Sequence, residues 1–165
     1  MKSIKIFAPA TVANVTCGFD ILGFAVHNPG DEVLLVERDS PGISIVDIKG
    51  DEGLLPKDPD KNTVSVAIKA YLDHLQLDTG IEIYLEKKMP LGSGLGSSAA
   101  SAVAGVFGVN ELLGRPLKVS ELLPFAMQGE MLACGEPHAD NVAPALFGGF
   151  VLIRSYDPLD VVKID

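Results

Sequence analysis

Residues 80–113 read GIEIYLEKKMPLGSGLGSSAASAVAGVFGVNELL, and this stretch decides the fold. Its first part, residues 80–87, alternates apolar and polar side chains, which predicts a strand. Its last part, residues 98–113, is rich in alanine and predicts a helix that Gly114 ends. Three glycines and three serines occupy six of the seven positions 92–98 between the strand and the helix. A strand that leads through a glycine loop into a helix predicts a domain that mixes α and β structure.

The rest of the chain extends this α+β pattern. The dipeptide Pro29-Gly30 predicts a turn, and Asn62 or Thr63 predicts the start of a helix. Ser120 is the expected N-cap of a further helix over residues 121–133. A loop is expected over residues 136–144. Apolar, partly alternating runs predict the other strands at residues 4–7, 32–36, 43–48, 150–153 and 161–165.

Composition limits the class of protein. The chain has 165 residues, of which 47% are apolar, and a formal charge of −9. This length suits one domain, residues 1–165, and the apolar fraction excludes intrinsic disorder. The acidic balance argues against nucleic-acid binding, which needs clustered cations. The longest basic run, Lys87-Lys88, is predicted to be a solvated strand end.

Nothing in the sequence indicates a membrane or an export signal. No apolar run reaches the roughly 18 residues of a membrane span, and Pro9 interrupts the first apolar residues. Cys17 and Cys134 lie far apart and form neither a disulfide framework nor a zinc-binding spacing. We therefore expect a cytoplasmic protein. The mean hydropathy of +0.30 predicts an apolar face that meets another part of the protein or a second copy in a homodimer.

The glycine loop favours phosphate as its ligand. Glycines let a backbone approach a ligand closely, and the N-terminus of the following helix attracts an anion. No Lys-Ser or Lys-Thr closes the loop as in a Walker A sequence, and Ser97 stands where a dinucleotide fingerprint needs glycine. The serine hydrolase elbow and the protein kinase landmarks are absent as well. A flexible turn before a core helix is the alternative interpretation.

Acidic residues after the loop suggest a metal and a polar substrate. Glu130, in the last turn of the predicted helix, could share Mg²⁺ with Ser98, because Mg²⁺ takes one or two carboxylates plus substrate phosphates. An exposed surface acid is the alternative for Glu130. Asp140 and Asn141 are expected to orient a small polar substrate. His138 is predicted to be fixed by hydrogen bonds of its loop rather than to ligate a metal.

Three segments of the chain resemble the small-molecule kinases grouped with galactokinase, homoserine kinase, mevalonate kinase and phosphomevalonate kinase. The segments follow one another along the chain in the order that is typical of this group. Residues 90–101 resemble the ATP-binding signature of the group. Residues 8–20, and Gly129-Glu130 followed by residues 138–144, narrow the resemblance to homoserine kinases. The resemblance implies a two-layer α+β domain with a mixed or antiparallel sheet and helices on one face, similar to the ribosomal-protein-like N-terminal domain of the group.

The resemblance also assigns roles to residues. It implies direct transfer of the γ-phosphoryl group of ATP to the hydroxyl of L-homoserine, on the route to threonine, with Mg²⁺ at Ser98 and Glu130. Asp20, Asp140 and Asn141 form the expected catalytic group. Homoserine is expected at Asn14, Asp20, Asp140 and Asn141. ATP is expected at Asn62, Pro90, Leu91, Gly92, Ser93, Gly94, Leu95, Gly96, Ser97 and Ser98.

The resemblance implies more protein than residues 1–165. Homoserine kinases carry a C-terminal ferredoxin-like domain with arginines expected to hold the substrate carboxylate, and Arg154 is a poor substitute for them. We therefore expect residues 1–165 alone to be inactive. Two alternatives stay open: another kinase of the group, acting on mevalonate, a sugar or shikimate, and a non-catalytic binding module of the same fold.

Overall fold

The computed structural model describes residues 2–164, except for the side chain of Cys134. A short 3₁₀ helix, Val119–Leu122, precedes the third α-helix. The strands and helices follow one another as β1 (Ser3–Val15), β2 (Gly18–Arg38), β3 (Ile43–Lys49), α1 (Thr63–His74), β4 (Gly80–Glu86), α2 (Ser97–Leu112), α3 (Leu123–Cys134), α4 (Val142–Phe147), β5 (Phe150–Tyr156) and β6 (Leu159–Ile164).

The strands of residues 2–164 form one mixed sheet with the order β3-β4-β2-β5-β6, and β1 pairs with β2. β3 runs parallel to β4, whereas the other neighbours are antiparallel. β2 pairs with β4 through residues 32–38 and with β5 through residues 22–24. Because β1 pairs with both of these stretches, β4 and β5 must follow one another along the opposite edge of β2. The mixed sheet confirms the expected α+β architecture.

β1 and β2 form a longer hairpin than the sequence predicts. Their pairing continues to Val15 opposite Gly18. The predicted turn at Pro29-Gly30 is wrong, because both residues lie within β2. A Cβ atom on Gly30 would lie 2.5 Å from the carbonyl oxygen of Ala8. The close approach of two backbones, rather than a turn, therefore requires glycine at this position.

One face of the sheet is apolar and the other is charged. Ile81, Ile83 and Leu85 of β4 are buried, and the residues that alternate with them are only partly buried. The helices pack on the apolar face. On the opposite face Lys5 forms an ion pair with Glu32. This alternation is typical of a sheet that is covered by helices on one side only.

α2 is the central helix of the domain. Its residues 99–106 are buried all round the helix, which is typical of a helix enclosed by other elements. A Cβ atom on Gly105 would lie 2.7 Å from Val64 of α1, and one on Gly108 would lie 2.8 Å from Leu35 of β2. The two glycines therefore let α2 fit between α1 and the sheet.

The start of α1 agrees with the sequence, and the start of α3 does not. Asn62 caps α1, because its Oδ1 accepts a hydrogen bond of 3.3 Å from the Val64 amide. Ser120 does not cap α3 but lies inside the 3₁₀ helix. There the carboxylate of Glu121 accepts from the Lys118 amide at 2.7 Å and closes the turn. The α-helix then begins two residues later than predicted, at Leu123.

The segment predicted as a loop over residues 136–144 contains the start of α4. This helix has only six residues, Val142–Phe147, and Pro144 lies in its first turn, where proline is tolerated. A helix this short has too few turns to show a helical period in the sequence. Among the described residues, no helix has the length and apolarity that crossing a membrane would require.

Candidate active site

A cavity of about 410 Å³ opens where the glycine loop meets α2. The residues that line it come from distant parts of the sequence. Asn141, expected at the substrate, is one of them. The lining also includes all residues expected to hold ATP and Mg²⁺, namely Asn62, Pro90, Leu91, Gly92, Ser93, Gly94, Leu95, Gly96, Ser97, Ser98 and Glu130.

The conformation of the loop depends on its three glycines. Gly92, Gly94 and Gly96 have φ angles of 70°, 74° and 66°, a region that side chains disfavour. No side-chain hydrogen bond caps α2, which starts directly after Gly96. The amides of the first turn of α2, together with the positive end of the helix dipole, therefore suit an anion in the cavity.

Ser98 and Glu130 lie in contact at the wall of the cavity. Ser98 Oγ donates a hydrogen bond of 3.0 Å to Glu130 Oε1. The alternative of an exposed surface acid is wrong, because only 4% of Glu130 is exposed. α2 supplies the hydroxyl and α3 the carboxylate, so the contact between these two helices brings the pair together.

Ser98 and Glu130 also suit Mg²⁺ by the chemistry of their donor atoms. Hydroxyl and carboxylate oxygens are hard ligands, and Mg²⁺ usually takes few of them from protein. The described residues contain no group of three or more His, Cys, Asp or Glu side chains that could hold a metal by themselves. Phosphates and water would therefore have to supply the other ligands.

Asn62 lines the cavity with a side chain that is already engaged. Its Nδ2 donates to the carbonyl oxygen of Pro56 at 2.9 Å, while its Oδ1 caps α1. Asn62 is also buried. The residue therefore holds the loop before α1 against the helix and shapes this end of the cavity.

Lys87 is not the solvated strand end that the sequence predicts. It is only 6% exposed, lines the cavity and forms an ion pair with Asp31. Its Nζ also donates to the carbonyl oxygen of Ser97 at 2.9 Å and to Ser101 Oγ at 2.7 Å. Burial lowers the pKa of Lys87, and the Asp31 carboxylate opposes that shift.

The sequence contained a signal for this pair. Ile81, Ile83 and Leu85 point into the core, and the same alternation directs Lys87 inward. Asp31 likewise belongs to an alternating pattern in β2, since Val33 and Leu35, two and four residues later, are buried. Charged side chains are usually exposed to solvent, but a buried charge is stable when it is paired and hydrogen-bonded.

Asn14 and Asp20 lie together at the tip of the β1–β2 hairpin. Both have left-handed backbones, with φ angles of 58° and 59°. The Asp20 amide donates to Asn14 Oδ1 at 3.0 Å. Left-handed conformations of residues other than glycine cost free energy and occur often at functional sites. The tip therefore has the strained backbone that a binding site can have.

Tyr156 of β5 ties this tip to the segment before α4. Its hydroxyl donates to the Asp20 carbonyl oxygen at 2.8 Å and accepts from the Ala139 amide at 3.3 Å. Tyr156 belongs to no motif of the sequence, so nothing local indicates this role. Its two contacts bring the segment with Asp140 next to the tip with Asp20.

Asp140 is buried beside charged neighbours. Burial raises the pKa of Asp140 above its usual value, the nearby His138 opposes this shift, and Asp20 adds to it. A Cβ atom on Gly23 would lie 1.9 Å from the Asp140 carbonyl oxygen. The backbone at Asp140 therefore packs directly on β2.

His138 lies between two carboxylates. Its Nδ1 is 3.9 Å from Asp20 Oδ1, and its Nε2 is 3.4 Å from Glu136 Oε2. The His138 amide donates to the Glu136 carbonyl oxygen at 3.0 Å. These contacts agree with a histidine fixed by its loop.

Asn141 links the glycine loop to the N-terminal strand β1. Thr11 Oγ1 donates to Asn141 Oδ1 at 2.8 Å, and the Thr11 amide donates to the Leu95 carbonyl oxygen at 3.0 Å. The three segments that carry the resemblance therefore meet here. Asn14, Asp20 and Asp140 do not line the cavity itself. Asn14 and Asp20 lie at the hairpin tip, and Asp140 directly precedes Asn141 in the segment before α4.

The chain is similar to a known protein family and to several known proteins. Residues 62–149 match the N-terminal domain of the GHMP kinases. Homoserine kinases from Chlorobium phaeovibrioides and Chlorobaculum tepidum are 54% and 50% identical to the chain over 99% of its length. The match covers 54% of each of these proteins. The chain thus spans about half the length of the curated relatives that it matches.

Solved structures share the fold. The crystal structure of a homoserine kinase from Cytophaga hutchinsonii is 69% identical, with a TM-score of 0.96 over 99% of this chain and 52% of that one. A mevalonate kinase from Methanococcus jannaschii has a TM-score of 0.75 at 20% identity, over 99% of this chain and 56% of that one. At the lower identity, the likeness concerns the fold alone.

Proposed function

Because the chain belongs to the GHMP kinases, we propose that it carries the ATP-binding part of an enzyme that phosphorylates L-homoserine. The γ-phosphoryl group of ATP passes to the side-chain hydroxyl and gives O-phospho-L-homoserine, on the route to threonine. The observation that carries this proposal is the cavity on which the glycine loop, Glu130 and Asn141 converge. The 69% identity to a homoserine kinase supports this substrate over others of the family.

The glycine loop holds the phosphates in this proposal. Its left-handed glycines keep Cβ atoms out of the cavity, and the first turn of α2 presents amides and a positive dipole end to the phosphate oxygens. Ser98 and Glu130 hold Mg²⁺ through their oxygens. Bound there, the metal would neutralise charge on the phosphates.

Homoserine lies at the hairpin tip in this proposal. The carboxylates of Asp20 and Asp140 suit the ammonium group of the substrate, and Asn14 adds an amide beside them. Thr11 engages Oδ1 of Asn141, so the Nδ2 group of Asn141 is the part that can donate to the substrate hydroxyl. Asn141 then stands between the cavity and the tip, where the phosphoryl group must be transferred.

This arrangement needs no strong general base. Phosphoryl transfer through a loose transition state depends mainly on position and on stabilisation of charge. Asp20, Asp140 and Asn141 orient the acceptor hydroxyl. The loop amides stabilise the charge of the phosphoryl group as it moves.

Substrate profiling of the full-length protein tests the proposal. With ATP and Mg²⁺, the protein should phosphorylate homoserine with a kcat/KM about 100-fold or more above that for mevalonate, shikimate or a hexose. Phosphorus NMR identifies the product. Preference for one of the other alcohols would overturn the proposed substrate. ATP binding with no turnover of any acceptor would indicate a binding module instead.

We also propose that residues 1–165 do not suffice for turnover. A substrate carboxylate calls for a cationic partner, yet no arginine of residues 2–164 lines the cavity, and Lys61 of the lining forms an ion pair with Asp58 at 3.4 Å. Arg154 forms an ion pair with Asp160 at 2.7 Å, and Lys87 is paired with Asp31. Residues 1–165 produced alone should show no homoserine phosphorylation under conditions in which the full-length protein is active. Turnover by this fragment would contradict the proposal.

A further inference from the structure

One buried carboxylate lies beneath the glycine loop and contacts the chain on both sides of it. Asp31, in β2, has no exposed surface and is not part of the cavity lining. Its Oδ1 accepts from the amides of Lys88 at 2.8 Å and Met89 at 3.2 Å, just before the loop. Its Oδ2 accepts from Ser97 Oγ at 2.6 Å, just after the loop.

Lys87 strengthens this connection. Its Nζ is paired with Oδ2 of Asp31, and it also donates to the Ser97 carbonyl oxygen and to Ser101 Oγ. Both charged side chains are buried, so salt in the solvent screens their interaction little. The end of β4 and the first turn of α2 are therefore held by the same buried pair.

The loop between these two points has little stiffness of its own. Gly92 and Gly94 have open space where a Cβ atom would lie, and glycine allows many backbone conformations. A loop of this kind keeps a defined shape only if its ends are fixed. Asp31 fixes both ends with one carboxylate, because Oδ1 holds the segment before the loop and Oδ2 holds Ser97.

We propose that Asp31 is a positioning residue for phosphoryl transfer, which sets the separation of the two ends of the glycine loop and so the position in which the loop holds the phosphates. This inference rests on the proposed function, since it assumes that the loop binds ATP. Asp31 acts through Lys88, Met89 and Ser97 and does not contact the nucleotide. A purely structural role would instead lower stability and affect both substrates alike.

Steady-state kinetics of the full-length protein separate these roles. Asp31→Asn removes the charge that pairs with Lys87 and leaves one oxygen to accept hydrogen bonds. The variant should lose about 10-fold to 100-fold in kcat/KM for ATP, because a small displacement of the phosphates removes much of the rate. The KM for homoserine should change less than about twofold. An equal rise in the KM values of both substrates would overturn the inference.

Tyr71→Phe is the matched control. It removes a buried hydrogen bond of 2.7 Å, from the Tyr71 hydroxyl to Asn110 Oδ1, at a site that does not touch the loop. It should lower the denaturation midpoint and leave kcat/KM for ATP within about twofold of wild type. If kcat/KM for ATP fell as much in Tyr71→Phe as in Asp31→Asn, the loss of stability alone would explain the kinetics. That result would overturn the inference.

Hydrogen exchange provides a readout that does not depend on activity. In Asp31→Asn, the amides of residue 89 and residues 91–98 should exchange about tenfold faster than in wild type, while the same amides in Tyr71→Phe should exchange at the wild-type rate. Unchanged exchange in Asp31→Asn would overturn the inference. If wild type fails to phosphorylate homoserine, the proposed function fails, and the exchange data still show whether Asp31 fixes the loop.

Ser97→Ala keeps the test decisive if Asp31→Asn does not fold. The substitution removes only the hydrogen bond between Ser97 Oγ and Asp31, so faster exchange of residues 89–98 is expected in this variant as well. When both variants fold, their effects on kcat/KM for ATP should not add, because Ser97 acts in part through Asp31. Additive effects, or unchanged exchange in Ser97→Ala, would contradict the proposed role.

Discussion

Gly96 is the residue at which the three segments of the site meet. Its φ angle is 66°, and a Cβ atom on it would lie 2.1 Å from Thr11 Oγ1 and 2.9 Å from Asn141 Oδ1. Those two atoms are hydrogen-bonded to each other. Glycine is therefore required at this position for two reasons: the backbone has a positive φ angle, and the Thr11–Asn141 hydrogen bond leaves no space for a Cβ atom.

Gly96→Ala should weaken ATP binding more than stability alone explains. The methyl group must displace the Thr11–Asn141 pair, and with it the start of α2. We expect the Kd for ATP, measured by calorimetry on the full-length protein, to rise about tenfold. Gly114→Ala is the control, because Gly114 has a φ angle of 82° and open space around it. Equal effects of the two substitutions on ATP binding would contradict this role for Gly96.

Asp140→Asn should weaken homoserine binding and change its pH dependence. A neutral amide cannot pair with the substrate ammonium, so the KM for homoserine should rise about 10-fold or more, while that for ATP stays constant. Because burial raises the pKa of Asp140, the wild-type KM should rise as the pH falls through this raised pKa. An Asp140→Asn variant with an unaltered KM for homoserine would exclude the role.

The sign of the same pKa shift predicts the stability of this variant. A carboxyl group whose pKa is raised in the folded protein disfavours folding once the pH exceeds its unfolded value. Asp140→Asn should therefore be at least as stable as wild type at neutral pH, in a denaturation midpoint measured by circular dichroism. A large loss of stability would instead assign Asp140 a structural role.

The elements with a strong local period could be predicted from the sequence, and those that depend on distant contacts could not. β4 and α2 were visible because alternation and alanine content are local. The hairpin tip was not, because Asn14 and Asp20 adopt left-handed conformations, and Asp20 is held by Tyr156, which lies far along the chain. Lys87 was misjudged because its partner, Asp31, lies 56 residues away.

The packing of α2 gives a prediction for stability. Gly108→Val places a branched side chain where the first carbon would already lie 2.8 Å from Leu35 Cδ1. Overpacking of this kind costs about 1–3 kcal/mol. Urea denaturation should show a lower midpoint for Gly108→Val than for Gln128→Val, a control at an exposed position of α3. Equal midpoints would mean that α2 does not pack this closely on the sheet.

At the scale of the molecule, the candidate substrate site is assembled from three regions that the fold brings together. The β1–β2 tip supplies Asp20, the segment before α4 supplies Asp140, and β5 supplies Tyr156 between them. Large apolar side chains are exposed, among them Phe19 of the hairpin tip at 67% and Met131 of α3 at 52%. The expectation that another part of the protein covers an apolar face of this chain stays a prediction.

The most direct test of the account is a crystal structure of the full-length protein with Mg²⁺, a non-hydrolysable ATP analogue and L-homoserine. The account predicts phosphates against the amides of residues 92–98 and Mg²⁺ between Ser98 and Glu130. The homoserine ammonium should lie at Asp20 and Asp140, with its hydroxyl facing the γ-phosphate beside Asn141. Nucleotide bound outside this cavity, or homoserine away from the hairpin tip, would contradict it.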